Sequence, residues 1–196
     1  MIRRLARALL GDYQVFVVLA VDCAGAAPPD GAAADHLGVY STPEAPAAGS
    51  GYAGPDAIGF EWREDGRRLA WCWVWYGERY RRDRNFWPLG PAEAKLISLE
   101  TRAEARGRGI APQLVAFARH EMARRGFDRL YARVWHSNRA SLRAFAKAGW
   151  RRHAVVVEVT PLGRRLRLVL PAGFGRRTRR ASPASPVADA AGADVS

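Results

Sequence analysis

Residues 106–111 read Arg106-Gly107-Arg108-Gly109-Ile110-Ala111, and an apolar pattern of helical period starts at Ile110. Glycines at such a point let the main chain come close to a ligand. The first N–H groups of a helix have no intrahelical acceptor, and the helix dipole favours negative charge beside them. A turn of this kind suits a phosphate or pyrophosphate. It is not a Walker A loop, because no Gly-Lys-Ser/Thr follows. It is not a dinucleotide fingerprint, because the G-x-G-x-x-G spacing is missing. The competing reading is a tight strand-to-helix turn with no ligand, since glycine serves turns freely.

The elements that must hold this turn can be read along the chain. Residues 94–99 are a strand and residues 110–125 a helix, with Ile110, Leu114, Phe117 and Met122 on one stripe. Pro112 is tolerated in the first turn, and Gly126 ends the helix. Leu130 to Trp135 is a second strand. Ser137 or Asn138 caps a helix through Ala148, which Gly149 terminates. Val155 to Val159 and Arg165 to Leu170 form a closing strand pair around Pro161-Leu162-Gly163.

Upstream, residues 2–10 predict a short amphipathic helix, with Ile2, Leu5, Ala6 and Leu9 opposite Arg3, Arg4 and Arg7. Tyr13 to Val21 suits a buried strand. Residues 23–55, rich in Ala, Gly and Pro, read as an irregular stretch in which only His36 to Tyr40 is strand-like. Residues 57–80 predict a hairpin that turns at Glu64-Asp65-Gly66. The period of two sends Trp71, Trp73 and Trp75 to one face, either a sheet face packed under a helix or the wall of a substrate pocket. Arg79 to Arg84 reads as a solvated charged loop. Residues 172–196, made of Ala, Ser, Pro, Gly and Arg, cannot build a core and are expected to be a disordered tail.

Taken in order, the loop, the strand after it, Asn138, Phe145 and Gly149-Trp150 resemble the GNAT superfamily of acyl-CoA-dependent N-acyltransferases. That family's Arg/Gln-x-x-Gly-x-Gly/Ala pyrophosphate loop is met by Arg106, Gly109 and Ala111. The run from Leu99 to Arg106 is similar too, with Thr101 where Val is usual and Ala103 where Pro is usual. The resemblance covers about residues 93–171. It implies an α/β (α+β) fold, with a mixed, mostly antiparallel sheet of about six or seven strands flanked by helices. It also implies one domain over residues 1–171.

The resemblance further implies binding of acetyl-CoA, or another acyl-CoA, as co-substrate. The main chain of Arg106, Gly107, Arg108, Gly109, Ile110 and Ala111 would cradle the pyrophosphate. The backbone of Leu99 to Thr101 would pair with the pantetheine arm, and Asn138 and Phe145 would border the thioester end. Asn138 has the rival role of a helix N-cap. Transfer to an amine needs a base and an oxyanion donor. The candidate bases are Glu100, Glu93 and His136. The family's general acid is a Tyr at the position of Phe145, which has no proton to give; Ser141 or water would compensate. The implied activity is direct transfer of an acetyl group to a primary amine of a small molecule or protein. The alternative is a non-catalytic CoA-binding module. Glu61, Glu64 and Asp65 either attract a cationic amine or keep the hairpin turn soluble.

The 196 residues, 48% hydrophobic and 26% charged, exclude collagen-like, wholly disordered and disulfide-rich classes. The net charge of +12 is nearly all arginine, the lysines being Lys95 and Lys147. A basic balance calls for an anionic partner. Nucleic acid is the poorer fit, because the basic residues do not alternate with aromatics and no nucleic-acid motif appears. No apolar run approaches the roughly 20 residues of a membrane span. A peripheral membrane contact by helix 2–10 would be weak. Cys23 and Cys72 give no metal or disulfide pattern, which suits a reducing cytoplasm; no metal is expected, and the chain reads as a monomer or homodimer.

Overall fold

The computed structural model describes residues 13–40, 51–83, 86–161 and 164–172. The expected helix at 2–10 and nearly all of the expected tail lie outside these residues. Eight strands form one sheet: β1 (Tyr13–Asp22), β2 (Leu37–Tyr40), β3 (Ala57–Glu64), β4 (Arg67–Trp75), β5 (Glu93–Thr101), β6 (Arg129–Trp135), β7 (Arg151–Val159) and β8 (Leu166–Pro171). Their order is β2-β3-β4-β5-β6-β1-β7-β8. Among the described residues only β5 and β6 run parallel, and every other pair of neighbours is antiparallel. The mixed, mostly antiparallel architecture matches expectation. The strand-like segment inside the irregular stretch pairs with β3 and brings the count to eight.

β1 sits in the sheet between β6 and β7 although it comes first in the chain. Its continuous apolar run explains why, because a strand flanked on both edges and covered on both faces must be apolar on both. Val17, Leu19 and Val21 face the main core, while Phe16 and Val18 join Phe86, Tyr131, Ala154 and Val156 on the other side.

Two helices cover the main core. Helix α3 (Ile110–Arg124) buries Ile110, Leu114, Val115, Ala118 and Met122, and helix α4 (Arg139–Lys147) buries Phe145. Each is stopped by a glycine in the left-handed region, Gly126 at φ 83° and Gly149 at φ 82°. Earlier come the one-turn α1 (Gly31–Ala34) and α2 (Gly77–Asp83).

Helix α2 corrects the expectation of a solvated loop at 79–84. Tyr80 is fully buried beneath it, accepting from Trp87 N and donating to Trp87 O at 2.7 and 2.8 Å. One apolar anchor among arginines turns a charge run into an amphipathic turn. Tyr80, with Tyr52 and Ala53, covers Trp73 and Trp75. That tryptophan face is therefore a packed sheet face under a short helix. Trp71 is only partly covered, with the Arg68 guanidinium 4.6 Å over its ring. The β3–β4 turn forms as expected at Asp65 and Gly66, both at positive φ.

Candidate functional site

Strand β5 has two unlike halves. From Glu93 to Leu96 it pairs with β6, Arg129 to Ala132, on one edge, and from Lys95 onward with β4 on the other. Beyond Leu96 the pairing with β6 stops. β5 continues along β4 as far as Thr101, and β6 continues along β1 as far as Trp135. The two parallel strands thus part. Among the described residues, the β6-facing edge of Ile97–Thr101 pairs with no strand. An open backbone edge is a row of donors and acceptors that a ligand can take up.

The parting coincides with a bulge. Trp73 pairs with Ile97 and Trp71 with Glu100, so β5 sets two residues, Ser98 and Leu99, against Cys72 alone, one more than regular pairing uses. Ser98 sits at φ 52°, a left-handed conformation uncommon for a residue that is not glycine. Backbone strain of this kind is held at functional sites by the structure around it. The sequence carries one trace of it: the inward apolar positions step from Ala94 and Leu96 to Leu99, breaking the period of two.

Past Thr101 a short 3-10 turn, Ala103–Ala105, leads to the glycine loop. Gly107 and Gly109 stand at φ 81° and 80°, and a side chain at Gly107 would meet nothing within 4 Å, so the loop faces open space. Helix α3 starts at Gly109 with no side-chain cap. Among the described residues no acceptor takes the amides of Gly107, Arg108 or Gly109. Free N–H groups, an uncapped helix start and a neighbouring open strand edge together fit an anionic, amide-bearing chain. These residues fit the pyrophosphate and pantetheine of an acyl-CoA.

The other predicted residues divide. Ile110 is buried in the core, so only its backbone faces the loop; Ala111 is partly exposed. Arg106 donates to Thr101 O at 3.2 Å and braces the loop. Arg108 is gripped by Glu64, with contacts of 2.6 and 2.8 Å to its two oxygens. Glu64 also accepts from Trp62 Nε1, so it is no open acidic lure for an amine. Hydrogen bonds from Arg108 and then Trp62 hold its carboxyl below the usual carboxylate range. Glu61 is paired with Arg63 at 2.6 Å.

Glu100 lies exposed on the open half of β5, accepting from Ser98 Oγ at 3.2 Å. Glu93 starts the closed half, and both its oxygens are engaged, by Gly90 N at 2.8 Å and by the Tyr131 hydroxyl at 3.1 Å. His136 Nδ1 lies 3.0 Å from Val15 O. A carbonyl can only accept, so Nδ1 carries the proton and Nε2 keeps a lone pair in the neutral ring. Its ring lines a cavity on the β1–β7 side of α4. Asn138 Oδ1 accepts from Ser141 N at 3.0 Å, which makes Asn138 the N-cap of α4. Phe145 is buried edge-on against Trp150, with centroids 4.8 Å apart.

Both cysteines are buried. Burial pushes the Cys23 thiol up to about 11 and Cys72 higher still. Burial thus disfavours the reactive thiolate at both positions. Among the described residues no cluster of metal-ligating side chains occurs, and no helix is long and apolar enough to cross a membrane.

The family model of the GNAT acetyltransferases matches residues 33–150, which takes in the bulge, the glycine loop, α3, β6 and α4. The chain belongs to the GNAT acetyltransferase family. β1, β7 and β8 lie outside the matched span, although β1 is internal to the GNAT sheet. Solved structures share the fold. A GNAT-family protein of Novosphingobium aromaticivorans superimposes with a TM-score of 0.57 at 18% identity, over 76% of this chain and 65% of its own. A GNAT-family acetyltransferase of Colwellia psychrerythraea gives 0.54 at 16% identity, over 81% and 60%. A GCN5-related N-acetyltransferase of Sphaerobacter thermophilus gives 0.50 at 13% identity, over 83% and 56%. The chain therefore spans less than two thirds of the length of each of these three proteins. No curated protein matches it in sequence.

Proposed function

We propose that this GNAT protein transfers an acyl group, in the simplest case acetyl, from acyl-CoA to a primary amine by direct attack on the thioester. One observation carries the reading: β5 bulges at Ser98 and leaves β6 immediately before an uncapped, glycine-built helix start. The amides of residues 106–111 hold the pyrophosphate, and the open edge of Leu99 to Thr101 holds the pantetheine arm. Asn138 keeps α4 in register beside the thioester end, with Phe145 as its apolar support.

In the reaction the amine nitrogen forms a bond to the thioester carbon and the carbon–sulfur bond breaks. The amine's proton leaves to a base. Glu100 takes that role, being the one candidate carboxylate on the open half of β5; His136, with Nε2 free to accept, is second. Glu93 serves the fold, since its oxygens already hold Gly90 and Tyr131. Backbone N–H groups at the bulge stabilise the oxyanion. The departing thiolate takes a proton from Ser141 or water, because Phe145 offers none. The buried, protonated cysteines favour this direct route over a thioacyl enzyme.

Phe145 also supports a second reading, a CoA-binding module without catalysis. We assign the protein to the cytoplasm, which suits two buried thiols with no disulfide between them, and expect a monomer or homodimer. Calorimetric titration with acetyl-CoA, beside a Gly109→Trp variant, tests the proposal. Micromolar binding by the wild type and none by the variant supports it. No binding of acetyl-CoA, longer acyl-CoAs or free CoA overturns both readings. Turnover in an amine screen then separates enzyme from binding module.

A further inference from the structure

A cavity of about 550 Å³ lies on the β1–β7 side of helix α4, away from the glycine loop. Its floor is apolar, made of Leu19, Leu142, Ala146 and Trp150. Its rim carries three arginines. Arg139 and Arg143 belong to the α4 face that also presents Leu142 and Ala146, by helical spacing. Arg152 stands on β7 directly opposite Leu19 of β1.

Two features single this cavity out. First, its lining holds no carboxylate, and none of the three guanidinium groups has a side-chain partner among the described residues. Many arginines elsewhere are tied to acids, as Arg63 to Glu61, Arg108 to Glu64, Arg125 to Glu121, Arg129 to Asp22 and Arg165 to Glu158, or to backbone carbonyls, as Arg102 and Arg119. Cations that line one cavity without carboxylate partners repel one another and favour an anion there. Second, Trp150 is 4% exposed, and its indole N–H is buried without an acceptor. Buried donors are almost always satisfied, so an orphan beside a cavity points to a missing partner.

The apolar floor does not end at the cavity. Residues paired across antiparallel strands share a face. Val17 pairs with Val155, which pairs with Leu170; Val15 pairs with Val157, which pairs with Leu168. This face runs from Leu19 to the sheet edge, where Leu168 is 57% exposed.

We propose that this cavity binds an amphiphilic anion, a single carboxylate or phosphate head on an apolar chain. The head sits among Arg139, Arg143 and Arg152, and the chain lies on Leu19, Leu142, Ala146 and Trp150 toward Val155 and Leu168. His136 also lines this cavity, so the site adjoins the thioester end, but none of residues 97–111 lines it and the proposal does not depend on the acyl-CoA reading. A cavity of this size, apolar with a few converging polar groups, is typical of small-molecule sites.

The test follows the indole N–H signals of the ¹⁵N-labelled full chain by NMR, with the Trp150 signal identified by Trp150→Phe. Decanoate, decyl phosphate, decanol and decyltrimethylammonium are titrated below their micelle concentrations. The expected result is a saturable shift of the Trp150 signal by an anion, about tenfold tighter than decanol, and no saturable shift by the cation. Tighter decanoate assigns the head to a carboxylate; tighter decyl phosphate assigns it to a phosphate. The pair Arg143→Glu and Arg152→Glu weakens the anion about tenfold while acetyl-CoA titration is unchanged. The Arg143→Gln, Arg152→Gln pair gives the same direction if charge reversal disturbs folding. The proposal fails if neither anion shifts Trp150, if decanol or the cation binds equally, or if the arginine variants bind as the wild type does. It also fails if light scattering shows a dimer in which this face is closed by a second copy.

Discussion

The two long helices begin differently. α4 follows β6 and is closed by its own chain, because Asn138 caps it through Ser141 N. α3 follows β5 and begins at Gly109 with no side-chain cap, behind amides that find no acceptor among the described residues. The strands before them run parallel, so both helix starts lie at the same end of the sheet. An ordinary helix start is satisfied from within, at a gain of about 1 kcal/mol for the cap. A start left unsatisfied at the mouth of a parted strand pair is the one available to an anion.

The largest effect is expected at the open start. Gly109 sits at φ 80°, where a β-branched residue is strained by roughly 1–2 kcal/mol and crowds the loop. Gly109→Val should weaken acetyl-CoA binding by about a hundredfold or more, measured by calorimetry, which is ~2.7 kcal/mol. A subtler change makes α3 resemble α4. Asn tolerates the left-handed region and is a strong cap. Gly109→Asn should leave the melting temperature unchanged or higher while weakening acetyl-CoA about tenfold. Equal or tighter binding would break the comparison.

The strands β3, β4, β5 and β6, both long helices, their glycine stops and the loop were legible in the sequence, because each rests on a local pattern of period or turn chemistry. The mixed sheet was legible through the family resemblance. Other features depend on partners distant in the chain. Nothing local says that β1 enters the sheet between β6 and β7. Tyr80 alone converts Arg79–Asp83 from charged loop to helix, and only the sheet beneath it makes that worthwhile. The bulge at Ser98 shows in the sequence only as a slipped apolar step. Glu64 looked open because its partner, Arg108, is 44 residues away. Of the proposed site, the glycine turn at 106–111 and the strand before it were readable as local structure, while the proposed ranking of Glu100, His136 and Glu93 draws on their hydrogen-bond partners.

The closed start should respond in stability rather than binding. Asn138→Ala should cost about 1 kcal/mol in thermal or chemical unfolding. The KM for acetyl-CoA should move by less than about threefold, a change under ~0.7 kcal/mol. A smaller effect is expected from Glu64→Gln, which frees Arg108 beside the loop. Acetyl-CoA binding should tighten by about twofold at low salt, and the gain should vanish as salt screens the loop.

The smallest effect is pH-dependent. Hydrogen bonds from Arg108 and Trp62 hold Glu64 below the usual carboxylate range. Burial pushes Glu121 up, but Arg125 and Arg124 outweigh it and hold it below as well. A folded-state pKa lower than the unfolded one stabilises above the unfolded value, near 4.5, and that stability is lost as pH falls through the folded values. The melting temperature should be flat from neutral pH to about pH 5 and decline below it, less steeply in Glu121→Gln.

The comparison of the two helix starts is tested most directly by amide hydrogen exchange with and without acetyl-CoA. Slowed exchange is expected across Ile97–Thr101 and 107–111, with Arg139–Ser141 at the start of α4 unchanged. Unaltered exchange over 97–111 in protein that binds acetyl-CoA, or protection confined to the start of α4, would contradict it.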